Sequence, residues 1–189
     1  MKRGFTLIEL LVVIAILAVL ATATVLVLNP AELLKQGRDS TRISDLAALN
    51  SAISLWVADV LNTTSNWPSS NTYNCTSGTD APGTPTCVAN ATTTVTSAGW
   101  VPLDFRLIAA GSPLSRLPID PNNASANCTL GSPAVCLYAF AASSTVGAYE
   151  LDAQMESAKF KTSGSAHVTD NDGGNDSGWY EVGSNLTLF

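Results

Sequence analysis

Apolar and polar positions are distributed unevenly along this chain, and the boundary between the two regimes predicts its main element. From Phe5 to Leu28 the sequence runs for 24 residues without Gly, Pro, Lys or Arg, and Glu9 is its one ionisable side chain. As a helix rising about 1.5 Å per residue the run reaches roughly 36 Å. Bilayer hydrocarbon is roughly 30 Å thick, so the run is long enough to span a membrane. Asn29-Pro30 interrupts it. Pro at a first helical position after an Asn cap restarts a helix, and its missing N–H permits a kink. From Ala31 the pattern becomes amphipathic. Leu46, Leu49, Ile53, Trp56 and Val60 recur at spacings of 3, 4, 3 and 4, which places them on one helix face. Lys35, Arg38, Asp39, Arg42 and Asp45 crowd the half nearer the apolar run. They read either as a solvated surface or as ion pairs between subunits. The apolar stripe covers too few heptads to favour a coiled-coil seam. The expectation is one long helix in two parts, with a weak point at residues 28–31.

Downstream the periodicity changes. Residues 62–99 are dominated by Thr, Ser, Asn, Gly and Pro and read as a long connection, with a short hairpin expected from Val88-Ala89-Asn90 and Thr93–Thr96. Pro102 to Ala110, stopped by Gly111, reads as a short helix. Leu117–Asn123 holds two prolines and reads as a turn cluster. Val135–Ala142 and Ala148–Ala153 read as strands. The second places Tyr149, Leu151 and Ala153 on one face and its acids on the other. Trp179–Gly183 and Leu186–Phe189 are further strand candidates. The fold class is therefore α+β: a long N-terminal helix packed through its stripe on a small antiparallel sheet. The expected organisation is a short basic segment at 1–4, a transmembrane helix at 5–28, its amphipathic half at 29–61 and a globular domain at 62–189.

Charge and cysteine placement add orientation. Five of the nine Lys and Arg lie at or before Arg42, and the remaining four face twelve Asp and Glu. The globular part is thus acidic, which argues against a broad nucleic-acid surface. Lys2 and Arg3 precede the apolar run and predict a cytoplasmic N-terminus for a single-pass span. Cys75, Cys87, Cys128 and Cys136 lie beyond the span at spacings of 12 and 8, without a CxxC metal pair. An even number on that side reads as two disulfides in an oxidising compartment. Three connectivities are open, and the sequential one closes the shortest loops.

The segment Gly4-Phe5-Thr6-Leu7-Ile8-Glu9, continued by Leu10–Ala18, resembles the class III signal of type IV prepilins and type II secretion pseudopilins. An ordinary secretory signal has a shorter core, and Ala21-Thr22-Ala23 falls inside the apolar run rather than after it. The resemblance implies a pilin-like fold, cleavage after Gly4 by a prepilin peptidase, methylation of the new N-terminus at Phe5, and assembly through the N-terminal helix. It also implies residence in the bacterial inner membrane before incorporation into an extracellular or periplasmic filament. Partners would be further copies of this chain, the peptidase and methyltransferase, the pilus or secretion assembly machinery, and membrane lipid. Glu9 would then sit four residues after a new amine and could neutralise that of a neighbouring subunit. The alternative is a plain anchor in which Glu9 reaches the headgroups. Pro118-Ile119-Asp120-Pro121 is similar to a turn of G-type pseudopilins, although Asn122-Asn123 stands where those proteins carry Trp-Gly.

Catalytic signatures are missing from the sequence. His167, the single histidine, lies in a polar stretch without a nucleophile motif, and there is no phosphate-binding glycine loop. Asp170, Asp172 and Asp176, among turn residues, read either as a solvated turn or as calcium ligands. The resemblance to G-type pseudopilins, which bind calcium near the C-terminus, supports the second. No other cofactor is expected. The expected function is a structural filament subunit. A secretion pseudopilin and a membrane-anchored enzyme or binding module are the alternatives.

Overall fold

The computed structural model describes residues 4–60, 67–68, 70–78, 86–125, 128 and 136–189. Helix α1 spans Leu7–Leu28 and α2 spans Pro30–Val60. Between them Asn29 takes the left-handed conformation at φ 39° and ψ 71°. Asn tolerates that region better than most residues, and its carbonyl accepts from Glu32 N at 3.0 Å to start α2. Pro30, which has no N–H to lose, fits the first position of the new helix. The interruption is therefore one residue wide.

Strands β1 (Thr72–Cys75), β2 (Val88–Ala89), β3 (Tyr138–Ala142), β4 (Tyr149–Ala153) and β5 (Tyr180–Gly183) form one sheet in the order β2-β1-β3-β4-β5. Every pairing is antiparallel except the short parallel one between β1 and β2. The core lies between α2 and one sheet face. Leu46, Leu49, Ile53 and Trp56 are fully buried against Tyr138, Phe140, Leu151 and Ala153, and Val60 packs on the edge. The 3-4 spacing read from the sequence thus forms the seam between helix and sheet. Burial of one such side chain stabilises the fold by roughly 1.5–3 kcal/mol. Indole N–H groups pin the loops to this core: Trp56 donates to Asp104 O at 3.0 Å, Trp67 to Ser143 O at 2.8 Å and Trp100 to Pro118 O at 2.9 Å.

Four expectations need correction. Val88–Ala89 pairs with β1 rather than with Thr93–Thr96, whose neighbourhood instead pairs with loops: Thr92 O accepts from Trp100 N, Thr93 O from Leu117 N and Val95 O from Phe105 N. Strand β1 lies inside the stretch expected to be connection; its Asn74 is buried because its amide donates to Trp100 O at 2.9 Å. The helix expected over 102–110 is one 3-10 turn, Phe105–Leu107, because Leu103, Phe105 and Ile108 are all drawn into the core and Asp104 caps Arg106 N at 3.1 Å. Leu186–Phe189 is not a strand. Its Leu188 and Phe189 N–H groups donate to Glu150 Oε2 at 2.7 and 3.3 Å instead of to a neighbouring strand.

Candidate functional site

The apolar helix carries its chemistry in its first turn. Gly4 and Phe5 are exposed and precede α1. Thr6 is the N-cap: its Oγ1 accepts from Glu9 N at 3.3 Å, while Glu9 Oε2 accepts from Thr6 N at 2.9 Å and from Thr6 Oγ1 at 2.7 Å. This is a reciprocal capping box, in which Thr at the cap and Glu three residues later satisfy each other's orphan donors. The Thr6-x-x-Glu9 spacing is the sequence signature of this cap. Glu9 therefore has a local partner in the single chain. Beyond it the α1 surface is bare, with Phe5 81 % and Val27 83 % exposed. This helix is long and apolar enough to cross a membrane, and it lies beside no other part of the described chain that would cover it.

Where α2 leaves the apolar region, a buried ion network joins it to the domain. Arg42 is fully buried. Its Nε and Nη2 donate to Asp120 at 2.6 and 2.8 Å, its Nη1 to Asp39 Oδ1 at 2.7 Å, and its Nη2 also to Glu156 Oε1 at 2.6 Å. Arg38 forks onto the same Glu156 at 2.9 and 2.6 Å. Asp39 additionally accepts from Glu156 N at 2.9 Å and Ser157 N at 2.8 Å. Burial opposes the charge on Arg42, but its bonds to Asp120, Glu156 and Asp39 win and hold its pKa above the ordinary range. Burial would likewise raise Glu156, yet the hydrogen bonds from Arg38 and Arg42 pull it down to about 2. Asp45, the next acid on α2, accepts from Tyr138 Oη at 2.8 Å. The charged half of the helix is thus neither simply solvated nor reserved for other subunits. Arg38, Asp39, Arg42 and Asp45 pair within the chain, with Asp120 from the two-proline turn and with residues on or just after the sheet.

Both disulfides are sequential, Cys75–Cys87 and Cys128–Cys136. The first ties the end of β1 to the segment leading into β2, and the second lies beside Glu156, whose Oε1 is 3.9 Å from Cys136 Sγ.

A second acidic region lies on the sheet face away from α2. Asp170, Asp172 and Asp176 do not converge. Asp170 is exposed and accepts from Ser163 N at 3.0 Å, with His167 Nδ1 at 3.3 Å. Asp172 and Asp176 turn toward β5: Asp172 Oδ2 accepts from Glu181 N at 2.9 Å, and Asp176 N donates to Glu181 Oε2 at 3.1 Å. The carboxylates that do converge are Glu150, Asp152 and Glu181, which offer oxygens within 4.8 Å of one another and are all buried. The acids of β4 lie, as expected, on the face opposite Tyr149, Leu151 and Ala153, and they are buried there, with Glu150 Oε2 accepting from Leu188 N and Phe189 N of the C-terminal segment. Burial pushes Asp152 far above the carboxylate range, helped by the charges of Glu150 and Glu181; burial also pushes Glu181 up to about 8, helped by a hydrogen bond shared with the Glu150 carboxyl and by the charges of Glu150 and Asp172.

A long apolar helix continued by an amphipathic one, docked on a small antiparallel sheet, defines the class: an α+β domain carried on a helix long and apolar enough to cross a membrane. Residues 1–25 match the prokaryotic N-terminal methylation motif, so the chain carries the class III prepilin signal of type IV pilins and pseudopilins. That signal implies processing by a prepilin peptidase and assembly into pilus or pseudopilus machinery. No curated protein and no solved structure matches the chain at a significant level.

Proposed function

We propose that this chain is a structural subunit of a type IV pilus-like filament, working by assembly rather than turnover. In this reading the subunit waits in the inner membrane with its N-terminus cytoplasmic and its acidic, disulfide-bonded domain outside. Prepilin peptidase cuts after Gly4, and Phe5 becomes the methylated N-terminus. Assembly then moves α1 from lipid into a bundle of identical helices, a head-to-tail contact that does not close and so grows as a fibre. The observation that carries the reading is α1 itself: a motif-bearing, bare apolar helix whose one charge lies in its first turn.

The capping box refines the part assigned to Glu9. In the single chain its carboxylate bonds Thr6. Cleavage would create a cationic amine at Phe5, and Glu9 would exchange its cap for a neighbour's amine during assembly. A buried pair of that kind sets register more dependably than it adds stability.

The test compares Glu9→Ala with the unaltered chain in cells that express the peptidase and the assembly machinery. The expected result is a variant cut after Gly4 and held in the membrane but absent from sheared filaments. Normal filaments from the variant would contradict the proposed part of Glu9. A type II secretion pseudopilin is the second reading, favoured by the Pro118–Pro121 turn; loss of secretion without loss of surface fibres in a deletion strain would select it.

A further inference from the structure

The sheet face opposite α2 holds three acidic side chains in an arrangement that carboxylates alone do not tolerate. Asp152 on β4 stands directly across from Glu181 on β5, and Ala139 occupies the same row on β3. Like charges directly opposed across a sheet repel, and these are removed from water as well: Glu150 and Asp152 are 0 % exposed and Glu181 1 %. Among the described residues, none of the three forms an ion pair with a Lys, Arg or His. Neither oxygen of Asp152 has a hydrogen-bond partner, nor does Oε1 of Glu150. An unpaired buried charge is among the costliest features a fold can hold, so buried charges are normally paired or bound to a metal.

We propose that Glu150, Asp152 and Glu181 form a buried site for a hard divalent cation, with calcium the expected ion. The ligand set is all oxygen and anionic, with its oxygens within 4.8 Å of one another, which suits calcium or magnesium over softer metals. A buried set of protein carboxylates favours calcium, because magnesium dehydrates reluctantly and usually keeps several of its waters. The Asn175 side-chain amide closes over the cluster, its nitrogen donating to Glu181 Oε1 at 2.9 Å and to Leu186 O at 3.1 Å. Gly174 passes so close to the Glu181 carboxylate that a Cβ would overlap it, so the loop is fitted to this acid. An open cleft of about 410 Å³, lined in part by Val168, Asn171, Asp172, Glu181 and Leu186, borders the site at Glu181. Asp172 stands in that cleft, whereas exposed Asp170 is bonded elsewhere.

Cation binding here is independent of filament assembly and is tested without it. Full-length protein in detergent micelles is stripped with a chelator, and thermal unfolding is followed as calcium chloride is added at neutral pH. At about a hundredfold excess over Kd the expected rise in Tm is roughly 5 °C or more. Asp152→Asn removes the central charge at constant shape. Its metal-free Tm should equal or exceed that of the stripped parent, which establishes that it folds, and calcium should no longer raise it. Asp170→Asn should keep the full calcium response. Three results would overturn the proposal: a parent Tm indifferent to millimolar calcium, an Asp152→Asn protein that responds like the parent, or a response abolished by Asp170→Asn alone. A stability that rises on acidification and ignores calcium would show that shared protons neutralise the cluster, and would equally overturn it.

Discussion

Arg42 shows how much one side chain decides at the base of the domain. It is the hub to which Asp39, Asp120 and Glu156 all converge, and only Glu156 has a second cation, Arg38. Arg42→Ala would strand buried carboxylates, and the expected loss is about 3–5 kcal/mol in denaturant unfolding. Arg38 keeps 30 % of its side chain exposed, and Arg42 remains to hold Glu156, so Arg38→Ala should cost about 1 kcal/mol or less. Equal losses from the two variants would show that the network does not centre on Arg42. Little of this was readable beforehand. Arg42 and Glu156 lie 114 residues apart, and no local pattern announces a pair at that distance. Glu9 is the opposite case: its Thr-x-x-Glu cap is a local signature, complete within four residues of sequence.

At the scale of elements, the two helices divide their work sharply. Leu49 on α2 is fully buried at the helix–sheet seam, whereas Val12 on α1 is 48 % exposed. Leu49→Ala should cost about 2–5 kcal/mol in unfolding of the purified full chain, and Val12→Ala should leave domain stability within about 0.5 kcal/mol. A comparable loss from both would mean that α1 packs on the domain. The helices and their break were legible because a long apolar run, an Asn-Pro step and a 3-4 stripe are each strong local signals. The sheet was less so. β3, β4 and β5 carried alternation or apolar runs, but β1 hides in Thr72-Tyr73-Asn74-Cys75, where the pairing partners and the Trp100 carbonyl, not the pattern, justify a buried Asn. The alternation placed the acids of β4 on the correct face, but their burial depends on Leu188 and Phe189, 38 and 39 residues beyond Glu150. The sequence could not show that the C-terminal turn reaches them.

Across the whole molecule, two sets of carboxylates set opposite pH dependences. Glu156 is held down to about 2 by Arg38 and Arg42 against its burial, so its stabilisation is complete above roughly pH 4.5 and is lost as pH falls toward 2. Glu181 is raised to about 8 by burial and its acidic neighbours. Its relative stabilisation is present below roughly pH 4.5 and is lost as pH rises through 8. Metal-free protein should therefore be most stable on the acid side of neutrality, a trend checked by guanidinium midpoints between pH 2 and 9. A metal-free midpoint that climbed steadily to pH 8 would contradict the burial of the Glu181 cluster. The disulfides act on the same global balance. Cys75–Cys87 closes a span of 12 residues, for which loop entropy suggests about 3 kcal/mol. Replacing both cysteines with Ser should lower stability by about that amount.

In the proposed function α1 carries a processed assembly signal rather than a permanent anchor. Intact-mass and N-terminal peptide mass spectrometry of the protein recovered from cells that express prepilin peptidase tests it most directly. The expected product begins at Phe5, lacks residues 1–4 and carries one added methyl group on its amine. A product that retains Met1, or one cut after Ala23, would contradict it.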